Sequence, residues 1–229
     1  MPLARVGGVT LLFVHVPKTG GTSVEAYLRA KGATLALHGQ AAAWSKAPLQ
    51  HLHREALAEA APPGSYDLGF AILRDPLARL MSEFRMRAEP LTAKFRPAGW
   101  LRAARNRAAG RPTYGVRIGG RVEFLDFDDW AGRALELAAR DPMAQSNHLR
   151  PQADFVVPGH RLFRFEAGLD PVLRWIDAAT ATEPAPGRFH ERRSTPMALR
   201  AGPETERRVR AFYAADEALI AGLVREERA

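Results

Sequence analysis

The chain has 229 residues, 46% hydrophobic and 25% charged, and carries a net charge of +8, which is ordinary globular material for one domain with a sizeable core. It has no cysteine, which excludes disulfides and thiolate metal sites, and no apolar run approaches the ~18 residues of a membrane span. The opening "MPLARVGG" lacks the apolar stretch and cleavage site of a secretory leader, so the expected location is cytoplasmic.

In chain order, residues 9–16 form a continuous apolar run, the kind of strand buried on both faces of a parallel sheet. A helix is predicted over about 22–31, closed by Gly32, and "ATLAL" (33–37) reads as a second strand. Residues 53–61 suit a short helix stopped by "PPG", and 67–73 suit another buried strand. Pro76 fits the first position of a helix reaching about 86. Residues 89–121 have no steady period and eight Pro or Gly, so they read as an insertion or lid outside the core. Residues 122–140 read as an amphipathic helix or a strand–helix pair, followed by two short strands, "DFVVP" and "RLFRFE". A helix near 171–178, the loop "EPAPGRFHERRSTP" and one last helix over about 203–226 complete the chain. With no repeats and no linker, residues 1–229 are expected to make a single α/β domain. Its expected centre is a P-loop-like, mainly parallel sheet flanked by helices.

The basicity is local. Between Arg85 and Arg121 there are ten basic residues and one acid, Glu89, a balance of +9 against −1 for the rest of the chain. Such a segment suits an anionic partner such as a uronate-bearing glycan, or it is simply a solvated arginine-rich lid. Phe95, Trp100 and Tyr114 are scattered there without the stacking pattern of a nucleic-acid reader, so no nucleic acid is expected.

Two stretches carry chemistry. In "FVHVPKTGGTSVEAYL" a buried strand runs into a glycine turn and a helix start. Gly20 and Gly21 let backbone approach an anion, and the free N–H groups of the following helix turn point at it. Lys18, Thr19, Thr22 and Ser23 add a charge and hydroxyls. An ATP-binding loop puts its lysine after the glycines; here it comes first. The second stretch, "LRDPLARLMSEF", sets Arg74 at the carboxyl end of a strand, where open α/β sheets bind ligands. Ser82 and Arg79 lie on the helix after it, in position to hold a second phosphate at a fixed distance from the first. An ordinary strand–turn–helix with surface ion pairs would have the same local pattern.

Together "HVPKTGGTS" and "RDPLARLMSEF" resemble the sulfotransferases that use 3′-phosphoadenosine 5′-phosphosulfate (PAPS), specifically the carbohydrate type that includes heparan sulfate 2-O- and 6-O-sulfotransferases and their bacterial relatives. "NHLRPQADF" and "RLFRFEAGL" extend the resemblance to about residue 170. It implies that the loop 18–23 binds the 5′-phosphosulfate and that Arg74 and Ser82, eight positions apart, bind the 3′-phosphate. It also implies metal-free sulfuryl transfer to a hydroxyl, with adenosine 3′,5′-bisphosphate as product. Lys18 would then neutralise charge on the departing bridging oxygen. Arg192 and Arg193 in "HERRSTP" are further candidates for the cofactor.

Transfer to a hydroxyl needs a base, and histidine suits neutral pH. The 2-O-sulfotransferases carry an H-x-H pair in the interval that here holds "QHLHREAL", which implies His53 as base and His51 as its catalytic neighbour. His38 and Glu55 are alternatives for the base, and His38, His148 and Arg150 are candidates for the acceptor pocket. The expected partner is a carbohydrate-like or other hydroxyl acceptor, with an anionic one among the options. Two other classes stay open: a Mg²⁺-dependent P-loop-type kinase using Asp75, and a nucleotide-binding module without turnover.

Overall fold

Two glycines set the first feature of the architecture. Strand β1 (Leu3–Val6) turns through Gly7 and Gly8 into β2 (Val9–Val14), pairing Val6 with Val9 and Leu3 with Leu12. Gly7 and Gly8 have φ of 55° and 87°, and two positive φ values in a two-residue loop are the turn that matches the twist of a hairpin. A Cβ on Gly7 would also lie 2.4 Å from the Thr180 carbonyl oxygen. The computed structural model describes residues 3–39, 43, 45, 47–89, 108, 113–118, 120–189, 197 and 199–226.

The central sheet has the order β3-β1-β2-β4-β8, with β3 at Thr34–Ala36, β4 at Leu68–Leu73 and β8 at Arg161–Arg164. Strands β2, β4 and β8 are parallel, whereas β1 is antiparallel to both neighbours. The sheet is therefore mixed rather than mainly parallel, because the Gly7–Gly8 hairpin inserts a reversed strand between β3 and β2. Alternate residues of β2 and β4 face opposite layers. Leu11, Phe13, Phe70 and Ile72 pack on α1 (Gly21–Ala30) and α5 (Asp170–Thr180) through Val24, Tyr27, Leu28, Val172 and Ile176. Leu12, Val14, Ala71 and Leu73 pack on Leu57 of α2 (Arg54–Ala60), on Phe155, and on Leu219, Ile220 and Leu223 of α7 (Ala214–Glu226).

A second, antiparallel sheet joins β5 (Ala88–Glu89), β6 (Tyr114–Ile118) and β7 (Arg121–Leu125). It covers α3 (Pro76–Arg87) and α4 (Phe127–Arg140), burying Val116 with Phe84, Phe127 and Trp130. Part of the expected lid is thus core, since alternation of Tyr114, Val116 and Ile118 gives β6 one apolar face. Residues 90–107, 109–112 and 119 of that segment lie outside the described residues. Residues 122–140 are a strand–helix pair, with Asp126 capping α4 by accepting from the Asp129 N–H at 2.9 Å. Two other expectations change. "DFVVP" is no strand but follows a 3-10 turn (Gln152–Asp154) with Phe155 in the core. The last helix is two, α6 (Pro203–Phe212) and α7, divided at Tyr213. Among the described residues no helix is long and apolar enough to cross a membrane.

Asp216 ties the two changed segments together. Fully buried at the start of α7, it accepts from the Gln152 and Ala153 N–H groups, each at 2.9 Å, and from Gln152 Nε2 at 3.2 Å. The N–H groups of Asp154, Phe155 and Val156 donate to the carbonyls of Pro151, Gln152 and Ala153 at 3.2, 2.9 and 3.3 Å, so they are spent within the turn and not in a β-ladder. Asp216→Ala should strand its donors on Gln152 and Ala153 and destabilise the protein by about 2–4 kcal/mol. Urea unfolding measures this; a loss under 1 kcal/mol would mean that packing of α7 alone holds the turn.

Candidate active site

The loop after β2 is shaped by what stands behind it. Thr19 is fully buried and its hydroxyl donates to the Val16 carbonyl at 2.9 Å, which pins the turn from inside. Lys18 and Gly20 have φ of 71° and 87°. A Cβ on Gly20 would approach the Phe165 ring to 3.0 Å, and one on Gly21 would overlap the His15 ring, 2.1 Å from Nε2. Only glycine fits at position 21 because the imidazole occupies the side-chain space. Helix α1 begins at once, with no side-chain cap and no acid in its first turn, so its N-terminal partial charge is available to an anion.

Arg74 joins this loop directly. Its guanidinium donates to the Lys18 carbonyl at 3.0 Å and stacks over Phe165, 4.4 Å from the ring centre. Burial lowers the pKa of Arg74, against the opposing charge of Glu166. The Arg74 backbone is clasped by one side chain: its N–H donates to Gln152 Oε1 at 2.9 Å and its carbonyl accepts from Gln152 Nε2 at 2.7 Å. Ser82, buried on α3, faces the same cavity. Arg79 does not. It donates to the carbonyls of His148 at 3.2 Å and Arg150 at 2.7 Å, and so secures the turn that carries His148.

The opposite wall is a row of histidines closed at each end by a buried carboxylate. His15 Nδ1 donates to Glu25 Oε1 at 2.7 Å, and the other Glu25 oxygen takes His38 Nε2 at 2.9 Å. The His15 and His51 rings meet edge-on at 5.0 Å, and those of His51 and His148 at 4.8 Å. His148 Nδ1 donates to Glu83 Oε2 at 2.7 Å, while the second Glu83 oxygen pairs with Arg87. Burial pushes the His51 pKa far down, aided by His15 and His148, and lowers that of His15 despite Glu25. Burial would raise both carboxyls, but their histidine contacts outweigh it, with Arg87 adding to the effect at Glu83. Glu25 and Glu83 are each held at about 2.

His51 and His148 are brought together by a strained turn. Gln145, Ser146 and Asn147 have φ of 53°, 59° and 66°, a left-handed run that costs about 1–2 kcal/mol per residue. Asn147 holds it by donating to the His51 carbonyl at 2.8 Å and accepting from Arg150 Nε at 3.1 Å.

A cavity of about 1220 Å³ lies between these walls, larger than a typical small-ligand pocket of about 300–1,000 Å³. Lys18, Gly20, Gly21, Thr22, Ser23, Arg74, Ser82, His51 and His148 all line it. Other candidates do not. His53 precedes α2 with its Nε2 3.7 Å from Glu55 Oε2; its pKa is lowered by burial and then by Arg150. Glu55 is exposed, His38 sits behind Glu25, and Arg150 pairs with Asn147 and Asp154. Arg192 and Arg193 lie outside the described residues. Sequence reasoning missed Phe165, Glu166, Gln50, Arg85 and Met86 as lining residues. Phe165 and Glu166 follow Arg164 at the end of β8, and the rule that pointed to Arg74, a strand's carboxyl end, would have pointed to them.

The buried ionisable groups set a pH dependence. His15 and His51 resist protonation when folded but not when unfolded, where a histidine titrates near 6.5. Above that pH the two states do not differ; below it the unfolded state binds more protons and stability falls. Glu25 and Glu83, depressed from 4.5 to about 2, stabilise above pH 4.5, and this is lost as pH falls towards 2. Urea unfolding from pH 7 to 3 should show stability declining in both windows, with Glu25→Gln removing part of the lower decline. A flat profile would mean that these groups titrate alike in the folded and unfolded states.

A family model described as Sulfotransferase family matches residues 7–216. No curated protein and no solved structure matches the chain. The matched span contains the glycine loop, Arg74, Ser82 and the whole histidine row. The chain belongs to the sulfotransferase family.

Proposed function

We propose that the protein is a PAPS-dependent O-sulfotransferase that moves a sulfuryl group to a hydroxyl of a carbohydrate-like acceptor. The observation that carries this reading is one cavity with two unlike walls: a glycine loop bonded to Arg74, with Ser82 nearby, on one side, and histidines backed by buried carboxylates on the other. The family match supports sulfuryl transfer as the reaction.

The donor would supply the sulfuryl group on a phosphate leaving group. The N–H groups opening α1, with Thr22 and Ser23, would hold the phosphosulfate, and Arg74 and Ser82 the 3′-phosphate. Lys18 would offset charge on the bridging oxygen as the bond to sulfur breaks. A histidine of the cavity wall takes the acceptor's proton. His53, which the H-x-H resemblance favours, is outside that wall, so the base is sought among its lining histidines. Arg85 lines the cavity where the basic segment begins, which favours an acceptor that is itself anionic.

Calorimetry in the presence of a chelator should show adenosine 3′,5′-bisphosphate binding more tightly than AMP or ATP. Arg74→Ala should weaken that binding by about 1.5–3 kcal/mol through lost charge-assisted bonds. Equal affinity for AMP and the bisphosphate would remove the 3′-phosphate assignment.

Lys18→Ala should act on rate rather than on binding. Its charge is needed most as the leaving group develops negative charge, so turnover at saturating PAPS should fall about 10²–10³-fold. Near-native turnover would reduce Lys18 to a binding residue.

A further inference from the structure

We propose that His148 is the general base of the transfer and that Glu83 is its positioning residue; this rests on the sulfotransferase reading above and deepens it. The three rings of the row are not equivalent. His15 also lines the cavity, but with Nδ1 on Glu25 its Nε2 edge is packed against Gly21, in the space a side chain there would fill. Among the described residues the buried Nδ1 of His51 has no hydrogen-bond partner, so no bond there fixes its tautomer or stabilises its protonated form. His148 lines the cavity, and its Nδ1 is bonded to the Glu83 carboxylate, whose side chain is 1% exposed. Its Nε2 has no partner among the described residues. A carboxylate behind an imidazole holds the proton on the far nitrogen, leaves the near one free to accept, and stabilises the imidazolium that forms.

The charges around His148 fit this role. From α3, Glu83 faces its ring, Arg87 pairs with Glu83, and Arg79 bonds its backbone carbonyl. From its own turn Arg150 is engaged by Asn147 and Asp154. His51 adjoins the ring, with His15 beyond, and Lys18 acts on Glu83 from the loop. Arg79 and the left-handed run at 145–147 hold the backbone that presents the ring.

The step balances. The acceptor hydroxyl oxygen forms a bond to the sulfur of PAPS, and its proton passes to His148 Nε2. The bond from sulfur to the bridging oxygen breaks, and its electron pair leaves with adenosine 3′,5′-bisphosphate. The imidazolium of His148, held against Glu83, then returns the proton to water.

The test compares His148→Ala, Glu83→Gln and His51→Ala. Bisphosphate affinity and melting temperature are measured on each. Transfer from PAPS is followed across pH, with the glycoside of a panel that the wild-type protein sulfates. His148→Ala should keep bisphosphate affinity, lose about 10²–10⁴ in kcat, and lose the rise of rate with pH. Glu83→Gln retains an acceptor for Nδ1–H but removes the charge. Its rate rise should move to lower pH, because the imidazolium is less stabilised, and kcat should fall about 10–100-fold. His51→Ala should keep the rise. Ring-nitrogen NMR of the wild type needs no acceptor and should find neutral His148 protonated on Nδ1. His148→Ala that retains turnover and the pH rise, a Glu83→Gln profile that does not move in a normally melting variant, or a neutral Nε2–H tautomer would each overturn the assignment of the base alone. A wild-type protein that fails to bind the bisphosphate would instead overturn the donor reading, and the base's role with it.

Discussion

The clasp of Gln152 on Arg74 is the contact on which the site depends. A primary amide carries both a donor and acceptors, so one side chain can bond the N–H and the carbonyl of a single residue. Gln152 does this at the end of β4, where Arg74 leaves the sheet and has no strand partner. Asp216 then fixes Gln152 through its backbone and side chain. Three distant parts of the chain therefore meet at one arginine: a central strand, the turn after the histidine-bearing loop, and the C-terminal helix. The guanidinium of Arg74 carries the constraint onward to the Lys18 carbonyl and the anion loop. Gln152 and Asp216 are fully buried, and a buried polar network is stiff when every member is satisfied and costly when one is lost; Arg74 and Lys18 are half-buried at the cavity wall.

The histidine row shows how two buried carboxylates can sit near an anion site. Glu25 and Glu83 would repel a phosphosulfate if their charge were open to the cavity. Each instead spends its oxygens on donors: His15 and His38 for Glu25, His148 and Arg87 for Glu83. The rings of His15 and His148 stand between carboxylate and cavity, so the cavity meets imidazole rather than an open carboxylate. The cations Lys18, Arg74 and Arg85 face it directly. Donor anion and proton acceptor can then share one space without opposing each other.

Much of this was legible where local chemistry decides. The apolar run at 9–16, the glycine loop, Pro76 and the Arg74–Ser82 spacing predicted β2, the start of α1, α3 and one wall of the cavity. The "VGG" turn also signalled a hairpin, and reading "MPLARVGG" only for a leader hid β1. What was not legible depends on contacts far apart in sequence. Asp216 anchors the turn at 152–153 from over sixty residues away. The choice between His51 and His53 is equally remote: both sit in "QHLHREAL", two residues apart, where simple alternation would put them on the same side. Asn147 takes the His51 carbonyl, which sets the inward member of the pair. Gly21 was read as room for an anion, yet its immediate cause is a ring, His15, packed from behind.

That packing bears on why the lysine precedes the glycines. Lys18 stands in the left-handed region, an uncommon conformation for a side-chain-bearing residue. There its carbonyl meets the Arg74 guanidinium while Thr19 turns into the core and Gly20 lies against Phe165. The loop is thus held from three sides before any anion arrives. Its donors need little reorganisation to meet developing charge, the condition under which oriented hydrogen bonds act most strongly on a transition state. A lysine placed after the glycines would instead begin on the first turn of α1. Placed before them, Lys18 shares its peptide carbonyl with Arg74, so the two cations that would face the donor are joined through one backbone bond.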